Sequence, residues 1–214
     1  MKEQNTTVIT VSRLMGSGGS AIGQRIAKRL GFQYVDREIL HKAAEYLGTE
    51  EDSLAGREER LSGFWESFLR MFSLSTPEAG YTPPPLRPVY DRELLDTEAK
   101  IISEIAGQHN AVIIGRGASH ILRGHPGLVK VFVHAPKEFR LQKVMEAYGI
   151  TDREEAITVI DDTDRQRGRF VRTMFDAYMA DARHYHLCID TSATGFDVAE
   201  EMIITLIRTR DKSI

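Results

Sequence analysis

The stretch "SRLMGSGGSAIGQ", Ser12 to Gln24, separates two different kinds of pattern. Before it, "TVITVS" (Thr7–Ser12) is rich in β-branched residues and reads as a buried strand. After it, Ile22, Ile26 and Leu30 recur every four residues and Gly31 stops the run, which reads as a helix. A glycine-rich turn between strand and helix has two uses. It makes a tight turn, because glycine tolerates positive φ, or it presents backbone N–H groups and a helix N-terminus to an anion. The phosphate-binding pattern G-x-x-x-x-G-K-[ST] puts its second glycine at Gly18 and its hydroxyl at Ser20. Arg13 then stands at the first glycine and Gly19 at the lysine. Gly16, Gly18 and Gly19, with Ser17 and Ser20, supply donors in the number and place that phosphate needs. We therefore expect Gly16, Ser17, Gly18, Gly19, Ser20 and Ala21 to bind phosphate. A dinucleotide fingerprint is rejected, because its third glycine falls on Ala21.

Working outward, "FQYV" (Phe32–Val35), "AVIIG" (Ala111–Gly115), "VKVFVH" (Val129–His134) and "HLCID" (His186–Asp190) read as further short strands. Helical patterns lie between them: Ile39–Leu47, Arg92–Gly107, the stretch after Pro136, Asp161–Arg172, and Phe196 onward. Alternating apolar strands and amphipathic helices imply βαβ units and a mainly parallel sheet. Ligands of such sheets bind beyond the carboxyl ends of the strands. The residues leaving the strands are the glycine loop, Asp36-Arg37, Arg116 and Asp190, all glycine or charged. The stretch 61–90 is different. Phe64, Phe68 and Phe72 stand at four-residue spacing before a proline-rich loop at 77–88. The aromatics suit a packed helix within the domain or, as the second reading, a homodimer surface.

With 214 residues, 42% hydrophobic and 28% charged, the chain fits one soluble α/β domain with a real core. A net charge of −3 argues against a dedicated nucleic-acid binder. The single cysteine, Cys188, excludes an internal disulfide and reads as a core residue. "MKEQNTT" has no apolar signal-peptide segment, and no apolar run approaches the ~20 residues that span a bilayer. A cytoplasmic location without membrane contact is expected.

Together the pieces resemble the nucleoside monophosphate kinases, and more closely the cytidylate kinase-like family. The similarity rests on "VSRLMGSGG", "YVDREIL", "VIIGRGASHIL", "VFVHAPKEFRLQKV", "DTDRQR" and "YHLCIDTS", in that order from Thr7 to about Ile207. It implies a three-layer P-loop fold in one domain, 1–214. Its parts are a phosphate-binding βαβ start (1–36), a helical insertion for the nucleoside monophosphate (37–108) and a lid-like segment (150–185). Authentic cytidylate kinases carry lysine where Gly19 stands here. Losing a charge from the transferring phosphoryl group is costly, because electrostatic stabilisation is usually the largest catalytic term. We expect Arg13, at the start of the loop, to replace it.

The resemblance also assigns the acceptor side. Asp36, Lys42, Arg116, Asp164 and Asp190 match acceptor-binding positions, with Gly117 standing where the family's "GRD" stretch has its aspartate. Arg165 and Arg167 match lid arginines that neutralise charge during transfer. If the lid is helical, Arg165, Arg169 and Arg172 share one face and Arg167 lies roughly opposite. Mg2+ would come with ATP and meet Ser20. The expectation is an ATP-dependent phosphotransferase moving the γ-phosphoryl group to a nucleoside monophosphate, CMP or dCMP first. The alternatives are a kinase for another small acceptor, or a nucleotide-binding regulator or scaffold without turnover.

Overall fold

The computed structural model describes residues 6–36, 40 and 92–211. Lys42, the aromatic stretch 61–90 and its proline-rich loop at 77–88 lie outside the described residues.

Five strands form one parallel sheet: β1 (Val8–Arg13), β2 (Gln33–Val35), β3 (Ala111–Ile114), β4 (Leu128–His134) and β5 (Leu187–Asp190). Their order is β2-β3-β1-β4-β5, so β1 is central. Val8–Val11 pair with Ala111–Ile114 on one side, and Val8–Arg13 with Leu128–Val133 on the other. Six helices complete the described fold: α1 (Gly19–Leu30), α2 (Arg92–Gln108), α3 (Ala118–Ile121), α4 (Lys137–Tyr148), α5 (Arg153–Phe175) and α6 (Thr191–Asp211).

The apolar runs have no polar side because both faces of the sheet are covered. Val8, Ala111, Ile113 and Leu128 pack on one face with Ile101, Ile102 and Ile105 of α2. Ile9, Val11, Val112, Ile114, Val131 and Val133 face the other way, onto Ile22 and Ile26 of α1 and Ile203 and Ile207 of α6. The result is three layers, as the alternating pattern implies.

One helix begins earlier than its sequence pattern indicates. The pattern places the lid helix at Asp161–Arg172, yet α5 starts at Arg153. The Asp152 carboxylate caps it by accepting from the N–H groups of Glu154 (2.7 Å) and Glu155 (3.1 Å). The stretch α6 breaks at Gly195 (φ 70°, ψ 175°), so a first turn from Thr191 precedes the helix expected from Phe196 onward. Cys188 is exposed, not core. β5 is an edge strand, and while Ile189 turns inward Cys188 points to the opposite side and stays exposed. Among the described residues no helix is long and apolar enough to cross a membrane.

Candidate functional site

The loop between β1 and α1 is held by its own backbone and by β4. Leu14 N–H donates to the Val133 carbonyl at 3.0 Å, and Ser17 N–H to Leu14 at 3.3 Å. The Ser17 hydroxyl donates to the carbonyls of Leu14 (2.8 Å) and Val133 (3.1 Å). Its own carbonyl accepts the hydroxyl of Thr191 at 2.9 Å, which ties the loop to the start of α6. Ser17 is thus fully buried and committed to the loop itself. Gly16 and Gly18 adopt φ 78° and 81°, and a Cβ on Gly18 would stand 2.2 Å from the Phe196 ring. Only glycine fits there.

The first helical hydrogen bond of α1 runs from Ile22 N–H to the Gly18 carbonyl at 2.9 Å. The N–H groups of Gly19, Ser20 and Ala21 therefore precede the ladder, as the first donors of any helix do. No acidic residue stands in that first turn. This helix N-terminus lies at the carboxyl edge of the central strand, a geometry that favours anions.

Helix α5 touches this loop through two of the expected residues. Arg167 Nη1 donates to the Arg13 carbonyl at 3.2 Å. Asp164 accepts the Met15 N–H on one oxygen and Arg140 Nη1 on the other, each at 2.7 Å. Arg140 also donates to the carbonyls of Ala135 and Met15, both at 2.9 Å. Arg165, Arg169 and Arg172 are exposed. Arg165 pairs with Asp162 at 2.8 Å, and Arg172 with Asp176 at 2.9 Å. The shared face of three arginines looks to solvent, and the lone arginine opposite faces the loop.

Arg13 ends β1 and lies under the loop. A Cβ on Gly19 would meet the Arg13 Cβ at 2.7 Å, and one on Gly115 would meet its Nη1 at 2.0 Å. Burial holds the guanidinium below the usual arginine range, while Tyr34 and Asp36 pull it back up. The buried Tyr34 phenol is pushed up, first by burial and then by Asp36. Arg116 leaves β3 with φ 53° and pairs with Glu98 of α2, its Nε at 2.8 Å from Oε2. Its guanidinium also lies 4.7 Å from the Phe170 ring centre. Asp190 accepts the N–H (2.9 Å) and hydroxyl (2.6 Å) of Ser192, so it holds the first turn of α6. Those Ser192 bonds lower its pKa.

The structure thus gathers Arg13, Asp36, Arg116, Asp164, Arg167 and the loop around the carboxyl ends of β1, β2 and β3. Arg165 stands outside that group, and Asp190 lies at the end of the edge strand β5. Arg140 and Glu98 were not singled out from the sequence. Each is a charge on an apolar stripe, Arg140 beside Leu141 and Val144, Glu98 among Leu95, Ile101, Ile102 and Ile105. That is the signal of a buried partner.

Residues 8–193, from the first residue of β1 into the start of α6, match the cytidylate kinase-like family. The chain belongs to the cytidylate kinase-like family. It is 29% identical over 185 residues to a cytidylate kinase from Pyrococcus abyssi (strain GE5 / Orsay), covering 86% of this chain and 84% of the relative. The fold is similar to an uncharacterized protein from Eubacterium ventriosum ATCC 27560, with a TM-score of 0.71 and 20% identity. That match covers 95% of this chain and 99% of the other. A gluconokinase from Sinorhizobium meliloti 1021 aligns with a TM-score of 0.52 and 16% identity over 98% of both chains. These neighbours carry the fold, that of the P-loop kinases.

Proposed function

We propose that the protein is an ATP-dependent phosphotransferase that moves the γ-phosphoryl group of Mg-ATP to a nucleoside monophosphate, with CMP or dCMP as first candidates. The observation that carries this reading is the cradle of Gly19, Ser20 and Ala21 amides, flanked by Arg13 and contacted from the lid by Arg167 through the Arg13 carbonyl. Phosphoryl transfer is mainly positioning and charge neutralisation, so amides and guanidiniums are the parts it needs.

In this reading the amides hold the β- and γ-phosphates and the magnesium arrives with the nucleotide. The Ser17 hydroxyl is committed to two carbonyls, so Ser20, at the second position of α1, is the hydroxyl that fits the metal. Bound Mg2+ would offset charge on the phosphate oxygens. Asp36, Arg116 and the segment at 37–108 that includes Lys42 form the acceptor side. Residues 150–185 form the lid. Asp164 sets the shape of the loop by gripping Met15, with Arg140 behind it.

One observation favours a second reading, a different small phosphorylated or hydroxylated acceptor. Arg116 is engaged by Glu98 and Phe170, and Gly117 replaces the family's aspartate. ADP formation from Mg-ATP, measured against a panel of ribo- and deoxynucleoside monophosphates, tests the choice. A strong preference for CMP or dCMP upholds the first reading. Turnover with none of the panel, alongside tight ATP binding, overturns it.

A further inference from the structure

We infer that Arg13 is a catalytic residue that contacts the transferred phosphoryl group from the acceptor side, and that Gly19 is glycine in order to admit it. The inference deepens the proposed function and rests on its reading of the loop as a nucleoside triphosphate site.

The steric argument comes first. A Cβ at position 19 would stand 2.7 Å from the Arg13 Cβ, 3.2 Å from its Cγ and 3.4 Å from the Val133 Cβ. Real side chains do not approach so closely, because interiors are packed to van der Waals contact. The long residue at the end of β1 and the missing lysine at the start of α1 are therefore one feature. Arg13 fills the space in which a side chain at 19 would begin.

The position of the charge comes second. The guanidinium lies directly on Gly115, whose added Cβ would be 2.0 Å from Nη1 and 3.2 Å from Cζ. Gly115 leaves β3 with φ 73°, next to Arg116. The stem of Arg13 thus lies beside α1 while its head lies between β1 and β3, on the flank where Asp36 and Arg116 stand. A lysine projecting from α1 would approach the β- and γ-phosphates from the helix side. Arg13 approaches from the strand side, where an acceptor would sit.

Third, the Nε of Arg13 is buried without a hydrogen-bond partner among the described residues. A buried donor on a charged group is costly to leave unmade. Burial first, and then the charge of Arg116, weaken its hold on the proton against the pull of Tyr34 and Asp36. A structural arginine would be retained with its donors satisfied, as Arg140 and Arg116 are. Arg13 lacks that full set, and phosphoryl oxygens, which suit a planar guanidinium, are acceptors that match its charge.

The test uses the full chain and the conservative variant Arg13→Met, which keeps the stem against Gly19 and removes the charge. Calorimetric titration with Mg-ATP and with Mg-ADP measures how much the γ-phosphate adds to affinity, independently of turnover. In Arg13→Met the ATP-over-ADP preference is expected to disappear while ADP affinity stays within about threefold. The turnover found with the best acceptor is expected to fall by roughly 10³-fold or more, the scale of other arginine clamps. Arg13→Lys is expected to retain part of the preference and of turnover. Gly19→Ala, which pushes on the Arg13 stem, is expected to lower turnover although it adds one methyl group. An unchanged ATP-over-ADP preference in Arg13→Met overturns the inference, with or without an acceptor. Wild-type protein with that preference but no turnover on any nucleoside monophosphate overturns the proposed acceptor class and leaves the assignment of Arg13 standing.

Discussion

Asp164 is the most heavily used carboxylate near the loop, and its replacement by asparagine has a calculable effect. One oxygen accepts the Met15 N–H and the other accepts Arg140 Nη1, both at 2.7 Å. The side chains are 19% and 8% exposed, so water replaces these bonds poorly. In Asp164→Asn the amide oxygen still serves Met15, but the amide nitrogen faces a guanidinium. One charge-assisted bond, worth about 1.5–3 kcal/mol, is lost, and the other is reduced to a neutral one. Arg140 keeps the carbonyls of Ala135 and Met15, which limits the damage. The expected loss is about 2–3 kcal/mol in urea unfolding with an unchanged m-value, or roughly 4–12 °C in melting temperature for a chain of this size. Asp164→Ala, which removes both acceptors, is expected to cost about 3–5 kcal/mol. Coupling to Arg140→Met in a double-mutant cycle is expected to exceed about 1 kcal/mol. If both single variants unfold within about 0.5 kcal/mol of wild type, the ordinary range for surface changes, Asp164 does not shape the loop. An unchanged stability with a raised acceptor KM would instead place it on the acceptor.

Gly18→Ala puts a Cβ 2.2 Å from Phe196 at φ 81°; titration calorimetry is expected to show ATP affinity reduced at least tenfold, a loss of ~1.4 kcal/mol or more. Arg116→Ala leaves Glu98, 1% exposed, as a buried carboxylate without its cation; chemical denaturation is expected to show a loss of about 3–5 kcal/mol. Ile113→Ala removes a fully buried side chain from the β3 core and is expected to cost about 2–5 kcal/mol by the same assay. Asp181 is held down to about 2, first by its side-chain bond to Arg183. A depressed carboxylate stabilises above its unfolded pKa of about 3.9, and that contribution is lost as pH falls toward 2. Asp181→Ala is expected to flatten the acid limb of a stability-versus-pH curve between those values.

The strands were legible because β-branched runs buried on both faces have few alternatives, and "TVITVS" and "AVIIG" lie within a residue of β1 and β3 at each end. The glycine loop was legible because positive φ at Gly16 and Gly18 leaves a compositional trace. The start of α5 was missed because Asp152 caps a turn that precedes the arginine-rich stretch the motif emphasised. Cys188 was misread because strand sequence does not show which strand ends up at the edge. The division of labour among the lid arginines was only half visible. Helical spacing separates Arg167 from Arg165, Arg169 and Arg172, but the lone member, not the trio, faces the loop. Arg140 and Glu98 needed tertiary structure, since their partners lie 24 and 18 residues away in the chain.

The central place of β1 sets how this site opens. Its residues bond to β3 on one side and β4 on the other, and the loop continues that ladder through Leu14 N–H and Val133. Amides enclosed in this way exchange with deuterium only when much of the molecule unfolds, whereas exposed helix faces exchange through local fraying. Val8–Arg13 and Leu14 belong to the slowest-exchanging class. The glycine loop therefore hangs on the part of the protein that opens last. Substitutions that loosen peripheral helices will change how often the periphery frays without melting the loop, and ligand affinity can be tuned there only through the side chains that surround it.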